Sequence, residues 1–257
     1  MIFKNMFGLL LTIVYAVILY IAIQRAEKGV TPFIRKIPAL DAIEEAVGRS
    51  VELGKPTFFT IGGASMGGTW TGGTLAAISM ARYTADICSR KGSKMWTGTS
   101  IIDQVPLIDE AMRIGFLEGG DPEAYNYETD IKWFPNQMAY IAGCAGLYAR
   151  SPPASQILLG SYMAECLAMC EVARRGGAFL IGGTDYRPYM PYMIAICDYA
   201  LIGEEIFIAS AYVSEDLALK NTIWAEDIAK AVMIVLTVIG ALSNVIGFSD
   251  LITWFGM

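Results

Sequence analysis

The chain has 257 residues, 54% hydrophobic and 17% charged, with mean hydropathy +0.46. So many apolar and so few charged residues point to a membrane component. A net charge of −6 and a pI near 4.8 argue against a nucleic-acid partner. The absence of histidine excludes Ser-His-Asp and Cys-His catalysis as well as imidazole metal ligands.

Residues 5–24 carry no charge. At about 1.5 Å per residue, some 20 residues cross a hydrocarbon core of ~30 Å. Lys4 ahead of this stretch leaves a cleaved signal peptide as the alternative. The apolar run is long for one, however, and no small-x-small cleavage site follows Tyr20. Residues 231–249 are a second uncharged stretch, followed by Asp250 and a tail whose Trp254 and Phe255 suit an interfacial anchor. A buried core helix is the alternative there. The predicted organisation is a transmembrane helix over 1–27, an α/β domain over 28–222, and a transmembrane helix with an interfacial tail over 223–257. Arg25, Lys28, Arg35, Lys36, Lys220 and Lys230 flank the spans on the central side, against Lys4 outside. Positive-inside then puts the central domain in the cytoplasm and both termini outside. The odd set Cys88, Cys144, Cys166, Cys170 and Cys197 lies in apolar text and reads as buried reduced thiols.

Between the spans, helices and short strands alternate. Pro38 to Leu53 is amphipathic, with Leu40, Ile43, Val47 and Val51 on one face and Gly54 and Pro56 as a stop. A strand over 57–61, a glycine-rich loop, a helix over 74–90 and a strand over 94–97 follow. Residues 119–135 read as a connector. A helix over 162–174, a strand over 178–181, a helix over 188–201 and a strand over 205–208 complete the domain. Phe59-Thr-Ile-Gly-Gly-Ala-Ser65 matches Phe179-Leu-Ile-Gly-Gly-Thr-Asp185, with coincidence between short apolar strands ending in Gly as the alternative to a repeat. The expected fold is therefore α/β: a membrane-anchored, Rossmann-like, mostly parallel sheet with an internal α-β-α-β duplication, possible halves 37–118 and 136–216, flanked by the two transmembrane helices.

The loop from Gly62 to Thr74 holds Gly62, Gly63, Gly67, Gly68, Gly72 and Gly73, with Ser65, Thr71 and Thr74 between or after them. Between a strand and a helix, exposed N–H groups and the helix dipole favour a phosphate. The spacing is neither G-x-G-x-x-G nor a P-loop, and no Lys lies near. A tightly packed turn is the competing reading. Asp103, Asp185 and Glu215-Asp216 follow predicted strands, where carboxylates bind Mg²⁺ or sugar hydroxyls or act as bases. Helix capping is the plainer role for Asp103, Asp185 and Asp216. Ser65, Ser155 and Ser161 have no His, and nothing in the spacing supplies Lys94 or Lys132 as a base. Cys166 and Cys170 share a helical face but lack enough further ligands for a metal. No cofactor and no metal are expected. Tyr186, Arg187, Tyr189 and Tyr192, pinned by Pro188 and Pro191, read as a partner or subunit surface, with an ordinary helix start on a membrane-proximal surface as the alternative.

Ile37-Pro-Ala-Leu-Asp-Ala-Ile-Glu-Glu-Ala-Val-Gly-Arg49, then Leu53-Gly-Lys-Pro56 and Phe58-Phe59-Thr60, resembles a bacterial and archaeal membrane family catalogued only as a domain of unknown function. The resemblance implies terminal apolar helices around a soluble α/β region in a prokaryotic cell membrane. It implies no activity, cofactor or catalytic residue. The preferred function is a non-enzymatic, oligomerising scaffold or subunit of a larger membrane assembly, with the lipid bilayer, a second copy of the chain and other membrane subunits as partners. The alternative is a membrane-anchored enzyme or sensor that binds a phosphorylated or nucleotide ligand at the Gly62–Thr74 loop.

Overall fold

The computed structural model describes residues 6–33, 37–214 and 216–246. The features predicted at Lys4, Arg35, Lys36, Glu215, Asp250, Trp254 and Phe255 lie outside the described residues. In chain order the elements are α1 (Met6–Glu27), α2 (Pro38–Leu53), β1 (Thr57–Ile61), α3 (Thr71–Lys91) and β2 (Met95–Thr99). Next come α4 (Val105–Glu118), α5 (Tyr127–Asp130), β3 (Ile131–Trp133), α6 (Gln137–Arg150) and β4 (Ser155–Leu159). The series ends with α7 (Glu165–Arg175), β5 (Phe179–Thr184), α8 (Met190–Ile196), β6 (Tyr199–Ile202), α9 (Glu205–Val213) and α10 (Leu217–Ile246). Two compact units result: Met1–Ile34 with Ser214–Met257, and Arg35–Val213.

The first unit pairs α1 with α10. Ile18, Ala22 and Ala225 are buried between them, the alanines letting the backbones approach closely. The Arg25 guanidinium lies 4.3 Å from the centroid of the Trp224 ring, and the Asn221 amide donates to the Val30 carbonyl at 2.9 Å. Leu9, Ile13, Val17, Ile234 and Val238 face outward. Among the described residues, one helix is long and apolar enough to cross a membrane, Gly8–Glu27, with 20 residues and mean hydropathy 2.0. The second predicted span, 231–249, is the distal part of the 30-residue α10 and runs past the described residues.

The second unit holds a six-stranded, all-parallel sheet in the order β3-β2-β1-β4-β5-β6. This is the doubly wound Rossmann order, whose direction of winding reverses between β1 and β4. Strand side chains alternate between two cores. Phe59, Ile61, Ile157, Leu159 and Ile181 pack with α2, α3, α4 and α9, while Phe58, Leu158 and Leu180 pack with α6, α7 and α8. Within α2, Pro38 opens the first turn, Leu40, Ile43 and Val47 are buried, and Gly54 closes the helix at φ 62°, a left-handed conformation that favours glycine.

Four strand assignments depart from the sequence reading. The stretch 205–208 is the first turn of α9, not a strand, and β6 lies inside the predicted helix 188–201. A short apolar run carries too few periods to separate helix from strand. Here the Gly203 turn at φ 59° ends β6, and Ile206 and Ala209 then bury on one helical face. The edge strand β3 sits in the predicted connector. Strand β4 was masked by its polar start, because Ser155 and Gln156 resemble loop residues. Both are fully buried and satisfied by side chains outside the strand: the Ser50 and Thr57 hydroxyls for Ser155, and Thr60 and the nearer Tyr148 for Gln156. The predicted helix 74–90 starts earlier, so Thr71 to Thr74 form the first turn of α3 rather than loop. The α-β-α-β order nevertheless recurs, as α2-β1-α3-β2 and α7-β5-α8-β6, and the two matched segments begin in β1 and β5.

Candidate functional site

The loop from Gly62 to Trp70 leaves β1 at the point of reversal and enters the 21-residue α3. Gly62 is there because of a close approach. A Cβ on it would lie 2.4 Å from the Ser161 carbonyl oxygen in the loop after β4. Buried Gln104 holds the loop from behind, its Nε2 donating to the Gly62 carbonyl at 3.1 Å and to the Ala64 carbonyl at 2.7 Å. Its Oε1 accepts from the Thr99 hydroxyl at 2.5 Å. The Tyr140 hydroxyl bridges the strand ends by donating to Gly98 and Ile61 carbonyls at 2.9 and 3.2 Å. Burial pushes that phenol well above its usual pKa, so it remains a donor.

The loop's carbonyls are thus engaged from within. Thr71 Oγ1 donates to the Gly68 and Met66 carbonyls at 2.7 and 3.1 Å, and Thr74 Oγ1 to Ala64 at 3.4 Å. By contrast, among the described residues the five consecutive N–H groups of Gly63 to Gly67 have no protein acceptor. A row of free amides beside a helix N-terminus is an anion-binding arrangement. Ser65, Gly67 and Gly68 are exposed, whereas Gly63 is half-buried.

Gly72 and Gly73 face the protein itself. A Cβ at Gly72 would lie 3.3 Å from the Phe207 ring, and one at Gly73 would lie 2.4 Å from Asp185 Oδ2. Asp185 follows β5 directly and accepts the Ser161 hydroxyl at 2.7 Å; Ser161 also lies 3.2 Å from the Trp70 carbonyl. Burial raises the Asp185 pKa, and the Ser161 bond opposes the rise. The N-cap of α3, Trp70, makes no side-chain bond, so the carboxylate beside its first turn comes from another part of the chain. Asp185 is therefore not a cap of the helix that follows it. Nor is Asp103, which is exposed in a 3-10 turn at the end of β2. Asp216 does cap α10, its Oδ1 accepting from the Ala218 N–H at 2.8 Å.

Glu165, unremarked in the sequence, is buried at the start of α7. It accepts from the Met163 N–H at 3.1 Å and from Gln137, with Oε1 3.6 Å from a Cβ position on Gly63. Tyr186, Arg187, Tyr189 and Tyr192 lie just after Asp185. The Trp70 ring meets the Tyr186 ring edge-to-face at 5.0 Å, and so joins the glycine loop to the tyrosine run. Gln104, Tyr140 and Glu165 carry no sequence signal, because the partners that matter at the loop (Gly62 and Ala64, Ile61 and Gly98, and Gln137) are brought near only by the fold. Cys88, Cys144 and Cys166, with thiol pKa values raised by burial to about 12, are no nucleophiles at neutral pH.

A family model described as a domain of unknown function (DUF6754) matches residues 2–255. The chain belongs to that family. No curated protein and no solved structure matches it.

Proposed function

We propose that this chain is a membrane-anchored protein whose α/β unit binds a phosphorylated or nucleotide ligand in the crevice between the ends of β1 and β4, as an enzyme or a sensor. The observation that carries the reading is the loop at the winding reversal, with five unpaired amides in sequence ahead of a long helix. Gly67 offers a clean test. It has no positive φ, and a Cβ there meets nothing within 4 Å. Gly67→Val in the detergent-solubilised full chain is expected to keep the wild-type melting midpoint and to weaken ATP binding by about tenfold, the loss of one or two amide contacts. Calorimetry on ATP, NAD and sugar phosphates checks this, and no binding of any of them to the wild type sinks the reading.

The scaffold reading has its own support in the apolar residues exposed around the same loops, such as Met138 at 73% and Ile102 at 58%. The same preparation decides it by mass: a particle holding one 27.9 kDa chain excludes self-assembly. The repeated α-β-α-β order supports an internal duplication.

Membrane anchoring rests on Gly8–Glu27 and on the outward apolar faces of α1 and α10, which a bilayer would cover. We read 231–249 as the second span, with residues 25–230 in the cytoplasm and both termini outside, from the flanking Arg25, Lys28, Lys220 and Lys230. Alkaline phosphatase fused after Met257 should be active and a fusion at Glu128 silent. The opposite pattern overturns the orientation.

A further inference from the structure

We infer that the aromatic row Trp70, Tyr186, Tyr189 and Tyr192 is the ring-binding half of this same site, taking a nucleobase while Asp185 accepts a ribose hydroxyl and Arg187 meets the phosphates. The inference rests on the proposed crevice and narrows its ligand to a nucleotide. Tyr186 stacks on Tyr189 at 5.7 Å with an interplanar angle of 24°, and Tyr189 meets Tyr192 at 5.9 Å. Spacing by three residues across a 3-10 turn and the first turn of α8 aligns the rings, and Pro188 and Pro191 stiffen that backbone. The row starts at Trp70, the last residue of the amide-bearing loop, and its two end rings are 40% and 48% exposed. Exposed aromatic faces contiguous with an anion-binding loop suit a planar, heteroaromatic ligand.

Asp185 settles which ligand group faces α3. Its carboxylate already lies against the helix's first turn, so a phosphate there would meet a like charge, whereas a hydroxyl would find an acceptor. A counter-charge for the phosphates stands two positions further on. Arg49, Arg82, Arg90, Arg113, Arg174 and Arg175 each pair with a carboxylate, whereas Arg187, among the described residues, is exposed and pairs with none.

The test uses the detergent-solubilised full chain and three probes: adenosine, guanosine and inorganic triphosphate. A nucleoside lacking phosphate should bind by calorimetry and quench the Trp70 component of the fluorescence, obtained as wild type minus Trp70→Phe. Tyr186→Ala should raise the nucleoside Kd about tenfold or more, while Tyr186→Phe, which keeps the ring, stays within about twofold. Should Tyr186→Ala fail to fold, the Trp70 quench in the wild type decides alone. Failure of both nucleosides to bind, or binding without a Trp70 quench, overturns the inference. Triphosphate binding under those conditions leaves the loop reading standing. Absence of binding by triphosphate and ATP as well removes both.

Discussion

Gly62→Ala is expected to destabilise the α/β unit by about 3 kcal/mol, the upper part of the usual range for forcing an atom into a packed position. For a unit of this size that is a fall of roughly 6–12 °C in the thermal midpoint. The added methyl would stand 2.4 Å from the Ser161 carbonyl oxygen and 2.6 Å from its nitrogen, and both obstacles are backbone. A flexible side chain could swing away, but here the loop after β1 or the loop after β4 must shift. Either movement pulls on Ser161, and with it on Asp185 and Trp70. Ligand binding should therefore fall together with stability. Gly67→Ala is the control, with open space around the new methyl and no expected change. Melting curves of the two variants side by side check the argument, and equal midpoints would show that the crossing is not tight.

The second large effect is expected at Gln104. Gln104→Leu keeps most of the volume but removes two donated bonds and one accepted bond, leaving the Gly62 carbonyl unpaired, the Thr99 hydroxyl proton without an acceptor, and the Ala64 carbonyl with only the 3.4 Å bond from Thr74. A buried polar group stripped of its partner costs about 1–3 kcal/mol, so the variant should lose roughly 2–4 kcal/mol, with partial relief at half-buried Ala64. Gln104→Glu discriminates between shape and hydrogen bonding. It retains an acceptor for Thr99 but turns a carboxylate toward two carbonyls, and should be no better than Leu. Hydrogen exchange at residues 63–70 supplies the local reading, because a loop released from Gln104 opens more often than the sheet behind it. Unchanged exchange in both variants would refute a holding role for Gln104.

Several features follow from neighbouring residues alone and were legible in the sequence. The charge-free run to Gln24 has the length of a span whatever surrounds it, and Gly8–Glu27 is indeed one apolar helix. Helix α2 is bounded by its own signals, Pro38 at the start and Gly54 at the end. Alternating helices and short apolar strands imply a parallel sheet, because parallel neighbours need crossovers. The glycine run after β1 could likewise be read as a strand-to-helix loop.

The strands with weak local patterns could not. Strand β4, the centre of the sheet, opens with Ser155 and Gln156, whose burial depends on hydroxyls of Ser50, Thr57 and Thr60 roughly a hundred residues earlier. Strand β3 has three residues, too few to carry a period. The candidate site has the same character. Asp185 looked like a cap for the helix after it, yet it rests on Gly73 of α3. Trp70 and Tyr186 belonged to separate motifs until the order β1-β4-β5 brought their loops together. Hydropathy, caps and turns are decided by residues within a few positions of one another, and the amino-acid order states them directly. Which strand ends lie side by side is decided by burying both faces of the sheet at once, and that requires the whole α/β unit.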